Sequence, residues 1–209
     1  MEITWLGQAS FRFNSRDVIL MTDPVNSLTG NISARQQPNI VTFSHNSPPN
    51  TSGLANQVVI GPGEYEISHF YLSGMGTALK TTPPTEELSV NTIYTIRVEG
   101  LTVCHLGYLT QKLTPAQIDQ LGQPQILMGP VSGDGILSTS DLQETISAIQ
   151  PRIFLPLQYP TEENVSEQPS LEKFLSEMGA TDLEPQRRLN LTETNMPAEL
   201  RITLMELSN

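Results

Sequence analysis

The chain holds three histidines, His45, His69 and His105, and one cysteine, Cys104. His45 opens the loop Ser44-His45-Asn46-Ser47-Pro48-Pro49-Asn50, directly after Asn39-Ile40-Val41-Thr42-Phe43, an apolar run that reads as a buried strand. A histidine at a strand end is a common start for a metal site, because several loops converge on one sheet edge. Catalytic zinc needs about three nitrogen, sulfur or carboxylate ligands and a position left for water. Manganese and magnesium need several oxygens, mostly from carboxylates. The loop after Phe43 supplies one histidine, then hydroxyl, amide and proline residues. Asp23, which ends an apolar run as Asp23-Pro24, and Asp134, in Ser132-Gly133-Asp134-Gly135, are the carboxylates that could join His45 and His105 in a candidate pocket. Both also have plain structural readings, as a strand terminator and a turn signal.

Other nucleophile arrangements are weaker. Cys104 and His105 are neighbours on a strand, so their side chains point to opposite faces and cannot pair. Cys104 reads as a buried structural thiol. Ser44 and His45 have the same geometric problem, and no Gly-x-Ser-x-Gly elbow exists. His105 reads as a packed residue near the loop edge, and His69 as a solvated side chain. Gly61-Pro62-Gly63 lacks the helix start that a phosphate loop needs. Glu64 and Glu66 share one strand face and read as exposed.

The elements that must position these groups follow from periodicity. Ile3 to Gly7 and Ala9 to Phe13 alternate as a paired opening, and Asp17 to Thr22 is a denser run. Val58-Val59-Ile60 starts a further strand, and Glu64 to Ser73 alternates. Asn91 to Glu99 and Leu101 to His105 flank Gly100 as a hairpin. Helices enter afterwards. Thr114-Pro115-Ala116-Gln117 is a capping box with proline at the first helical position. Ser140 is the expected cap of a helix carrying Leu142, Ile146 and Ile149, and Leu171, Phe174, Leu175 and Met178 stripe a third helix closed by Gly179. Strands at Gln125 to Met128 and Arg152 to Leu157 separate the helices, and Leu200 to Leu207 reads as a closing strand. Strand-helix-strand connections favour parallel neighbours in this second half, and antiparallel ones are expected in the first.

Bulk properties exclude several classes. A net charge of -11 opposes binding to nucleic-acid phosphates and to anionic membranes. No apolar run approaches the ~20 residues that span a bilayer. A single cysteine rules out an internal disulfide, and a start in strand-like alternation lacks the marks of a signal peptide, so a cytoplasmic location is expected.

Several motifs recur in a recognisable order: Trp5-Leu6-Gly7-x-Ala9-Ser10-Phe11, Thr22-Asp23-Pro24, Gly61-Pro62-Gly63-Glu64-Tyr65-Glu66, Asn91-Thr92-Ile93-Tyr94, His105-Leu106-Gly107 and Pro156-Leu157-x-Tyr159. The ordered set resembles the metallo-β-lactamase superfamily, in particular its small single-domain branch of metal-dependent hydrolases similar to ascorbate-6-phosphate lactonase. The resemblance implies an α/β, four-layer αββα sandwich, one domain over residues 1–209, and a zinc or manganese site built from loops at one edge. Carried over motif by motif, the first family histidine is His45. The second falls on Ser47, the aspartate on Pro49 and the last histidine of that segment on Asn50. Three further histidine positions fall on Gln8, Leu79 and Gln158, and the bridging aspartate on Tyr108. Among these ligand positions only His45 keeps its ligand type.

Without a metal, no bound water is brought to a pKa of ~7. The expectation is therefore a non-catalytic member with no catalytic residue, no metal and no cofactor, in which these positions are vestigial and the edge binds a small molecule or a protein. The alternatives are a hydrolase of phosphorylated, phosphodiester or lactone-like substrates with a rearranged site, and a structural subunit of a homo-oligomer.

Overall fold

The computed structural model describes residues 1–24, 37–45, 53, 55–79, 90–131, 135–159 and 171–208. Its strands are β1 (Glu2–Gly7), β2 (Ser10–Ser15), β3 (Val18–Thr22), β4 (Ile40–Phe43), β5 (Gln57–Ile60), β6 (Gly63–Ile67), β7 (Phe70–Ala78), β8 (Val90–Val98), β9 (Leu101–His105), β10 (Ile126–Pro130), β11 (Ile153–Leu157), β12 (Leu189–Asn190) and β13 (Arg201–Ile202). The helices are α1 (Pro115–Leu121), α2 (Thr139–Ile149) and α3 (Leu171–Glu177). One sheet has the order β12-β1-β2-β3-β4-β5, and the other β13-β11-β10-β9-β8-β7-β6.

Alternating strands give each sheet an inner apolar face. Phe11, Phe13, Leu20 and Ile40 from the first sheet share one buried core with Phe70, Leu72, Ile93, Ile96 and Val103 from the second. Successive side chains alternate faces. Met21 and Val41 accordingly join Leu6 and Phe43 in a separate buried cluster away from that core. Helix α2 lies on the second sheet: a Cβ on Gly129 would meet Leu142 at 3.1 Å and Phe154 at 3.1 Å. Phe174 of α3 packs on Phe154 of β11, ring centroids 5.4 Å apart. This is the α/β sandwich of two mixed sheets that the sequence implies.

Some local expectations fail for identifiable reasons. The alternating stretch from Glu64 to Ser73 is two strands of a hairpin, since Ser68 takes a left-handed backbone, φ +57°, between β6 and β7. His69 therefore sits in a turn. Helix α2 is capped by Ser138, whose Oγ accepts from the Asp141 N–H. The closing stretch splits. Arg201–Ile202 pairs with β11, and Leu207 bridges Trp5 in the other sheet. The first half is also not wholly antiparallel, because β3, β4 and β5 pair in parallel. Parallel neighbours need a crossover of about a dozen residues, which 23–39 and 44–56 are long enough to provide. The Glu99-Gly100 hairpin and the Thr114–Gln117 capping box form as the sequence indicates.

Candidate functional site

The ends of β3, β4, β9 and β11 meet at one edge of the sandwich, with the β1–β2 turn and the start of β8. Register explains the first contacts. Thr22 lies opposite Thr42, so Asp23 leaves β3 beside the last residues of β4. The Asp23 N–H donates to Thr42 O at 2.8 Å, and the chain turns there with φ +38°. The buried carboxylate accepts two bonds from the facing strand end. The Ser44 N–H donates to Oδ1 at 2.7 Å and the Ser44 hydroxyl to Oδ2 at 2.7 Å.

His105 is fully buried and held from both sides. Its Nε2 lies 2.9 Å from Ala9 O, which can only accept, so the proton is on Nε2. Nδ1 then accepts from the Gly107 N–H at 3.2 Å. Nδ1 lies 3.8 Å from Asp23 Oδ2, but with its lone pair already engaged the ring is neutral and this contact is not an ion pair. Burial lowers the His105 pKa, against smaller upward pulls from Asp23 and the Ala9 carbonyl.

His45 is partly exposed, its side chain at 35%. Its Nδ1 is buried without a hydrogen-bond partner, 3.9 Å from Asp23 Oδ1. Tyr108 meets the ring edge-on, centroids 4.7 Å apart. Burial raises the Tyr108 pKa, Asp23 raises it further, and the adjacent Gln158 side chain lowers it in part. Gln158 is buried, yet its Nε2 makes no hydrogen bond of ordinary length. Its backbone is left-handed, φ +57°, and its N–H donates to Gln8 O at 3.1 Å. Gln8 is also left-handed, φ +52°, and its carbonyl accepts from Trp5 Nε1 at 3.1 Å. The following residue, Tyr159, stacks on Trp5 at 4.4 Å and bonds Met205 O at 2.8 Å. A left-handed non-glycine residue costs about 1–2 kcal/mol. The surrounding bonds hold both glutamines there.

Three residues that build this edge read in the sequence as loop or motif members, without the roles they play here. Ser44 donates to both oxygens of the buried Asp23 carboxylate. Asn91, fully buried, donates from Nδ2 to Leu106 O at 3.0 Å and Thr77 Oγ1 at 3.1 Å, and accepts from the Tyr108 N–H at 2.8 Å. Gly107 is left-handed, φ +60°, and a Cβ there would lie 2.4 Å from Asn91 Oδ1 and 2.6 Å from Ser44 Cβ. The available signal was Asn91 itself, an amide opening the apolar run Thr92-Ile93-Tyr94.

The edge thus brings together Gln8, Asp23, His45, His105, Tyr108 and Gln158. Leu79 follows β7 and is half-buried. Ser47, Pro49, Asn50 and Asp134 lie outside the described residues. His69 belongs elsewhere and is not simply solvated. Its Nε2 donates to Ser15 Oγ at 2.8 Å, and that hydroxyl donates to Glu99 Oε1 at 2.5 Å. Cys104 is buried, and burial pushes its thiol up to about 12, so no thiolate is present at neutral pH. Glu64 and Glu66 are exposed, as expected.

A model of the beta-lactamase superfamily domain matches residues 2–158. The chain belongs to that superfamily. A UPF0173 protein of Pyrococcus furiosus is 24% identical over 182 residues, covering 77% of this chain and 84% of that relative. One of Pyrococcus abyssi is 23% identical over 184 residues, with the same coverage. Among solved structures, a candidate Zn-dependent hydrolase of the metallo-β-lactamase superfamily from Thermotoga maritima superposes with a TM-score of 0.78 at 26% identity, covering 98% of this chain and 97% of its own. An isothiocyanate hydrolase from Delia radicum gut bacteria shares the fold, with a TM-score of 0.65 at 12% identity and coverages of 92% and 99%.

Relatives described as hydrolases imply a metal, and the described donors at this edge fit one poorly. Both ring nitrogens of His105 are engaged, and each oxygen of Asp23 holds a short bond. Among the described residues, no group of three or more histidine, cysteine, aspartate or glutamate side chains could hold a metal ion.

Proposed function

We propose that this chain is a metal-independent, non-catalytic member of the metallo-β-lactamase superfamily whose remodelled loop edge binds a small molecule or a partner protein. One observation carries this reading: His105 is locked as a neutral ring with both nitrogens bonded to backbone groups. Ligation through it would break a buried hydrogen bond, costing about 1–3 kcal/mol for the group left unpaired. The motif correspondence supports the same reading, since Ser47, Pro49, Asn50, Gln8, Tyr108 and Gln158 bring hydroxyl, amide, phenol or ring carbons to ligand positions. Calorimetric titration of zinc and of manganese into the metal-stripped protein tests it. Only weak, non-saturating heats are expected. A stoichiometric site that disappears in His45→Ala would overturn the proposal.

A second reading, a hydrolase with a rearranged site, draws on superfamily membership and on the buried His45 Nδ1 directed at Asp23. It requires turnover of phosphodiester or lactone esters that falls in both His45→Ala and His105→Ala. Turnover indifferent to both changes would assign the activity to a contaminant.

A further inference from the structure

We propose that the cluster of His45, Tyr108 and Gln158 is a recognition site for an uncharged ligand that presents a carbonyl-type oxygen to the Gln158 side-chain amide. The proposal rests on the metal-independent reading above and names the ligand class that such a site selects.

Two buried nitrogens in one contiguous cluster lack partners. Gln158 is 8% exposed, and its Nε2, beside the Tyr108 phenol, makes no hydrogen bond of ordinary length. His45, whose ring meets Tyr108 edge-on, has an Nδ1 that lacks a partner too. Native proteins pair nearly all such groups, and leaving one unpaired costs about 1–3 kcal/mol. The cost persists here because the strand end cannot relax. The Gln158 N–H is tied to Gln8 O, and the next residue is clamped between Trp5 and Met205. Left-handed backbone at both Gln8 and Gln158 adds strain that the fold maintains. An acceptor oxygen arriving at Gln158 Nε2 removes the unpaired-donor cost. The phenol of Tyr108, kept protonated by burial and by Asp23, is a second donor beside it.

Charge decides what carries that oxygen. Asp23 is the carboxylate of the cluster, and its neighbours within ion-pair range are His45 and His105. His105 is neutral by its hydrogen bonds. Among the described residues, an anionic ligand would meet the Asp23 carboxylate and no lysine or arginine paired with it, in a chain of net charge -11. A neutral amide, ester or ketone oxygen accepts the same hydrogen bonds without that repulsion.

Acetamide and acetate are nearly isosteric and differ by one charge, so they separate the cases. The probe is the Gln158 side-chain amide pair in 1H–15N spectra, assigned by its disappearance in Gln158→Leu. Acetamide should shift this pair saturably, and acetate at equal concentration should leave it in place. Tyr108→Phe, which keeps the ring against His45, should weaken the acetamide response several-fold. An equal or larger response to acetate, or no response to either compound, would overturn the ligand class. Manganese is added in a separate arm. Site-specific paramagnetic broadening around His45 would defeat the metal-independent reading itself, whereas an acetate response without such broadening defeats only this inference.

Discussion

At the scale of single residues, His105 fixes the character of the edge. Ala9 O needs the proton on Nε2, and the Gly107 N–H needs the lone pair on Nδ1. A second proton would break one bond and charge a fully buried ring, which is why burial lowers the pKa. In the unfolded chain the same imidazole titrates near ~6.5. Below that pH the unfolded state binds a proton that the native state refuses. The contribution of His105 to stability is therefore intact above ~6.5 and declines as pH falls toward the lowered native value. Long-range 1H–15N correlation of the imidazoles should show His105 as the Nε2–H tautomer at about pH 6. His105→Gln should flatten the pH dependence of the denaturant midpoint below about pH 6.5. A doubly protonated His105 at pH 6 would refute the neutral-ring geometry. The sequence marked His45, His105 and Asp23 as the groups near this edge. It could not show that Ser44 occupies Asp23 or that Ala9 O holds His105, because those bonds join residues far apart in the chain.

At the scale of elements, the loop from Leu106 to Tyr108 is the piece that presents Tyr108 to His45. It is fixed by Asn91 at the start of β8 and by the close approach of Gly107 to Ser44 at the end of β4. Gly107→Ala would place a methyl inside both contacts and hold alanine at φ +60°, so it should lower the unfolding free energy by more than about 2 kcal/mol. Chemical denaturation measures this, and an unchanged midpoint would show that the loop is not pinned as described. Local chemistry made some elements readable. Glu99-Gly100 fixed one hairpin, and Thr114 with Gln117 fixed one helix start. Ser68-His69 carries no glycine, proline or asparagine, so the β6–β7 turn was hidden inside a continuous alternation. Parallel pairing of β3, β4 and β5 is set by crossovers, which strand periodicity alone cannot reveal.

At the scale of the whole molecule, the ordered motifs carried the fold. They lie in strand ends and turns whose backbone course the sandwich requires, and they remain readable when individual side chains change. The left-handed residues Gln8, Asp23 and Gln158 lie in three of those motifs. Among the described residues, the edge sets a neutral His105 and a carboxylate satisfied by Ser44 beside the unpaired nitrogens of His45 and Gln158. Charge is consistent with this, since among the described residues no lysine or arginine pairs with Asp23, in a chain of net charge -11. The most direct check is the metal content of the protein expressed in medium supplemented with zinc, manganese and iron and purified without chelator. Elemental analysis should find each metal well below one equivalent per chain, with a thermal midpoint indifferent to added chelator. One equivalent of any of these metals, lost in His45→Ala together with a chelator-sensitive midpoint, would contradict a metal-independent edge.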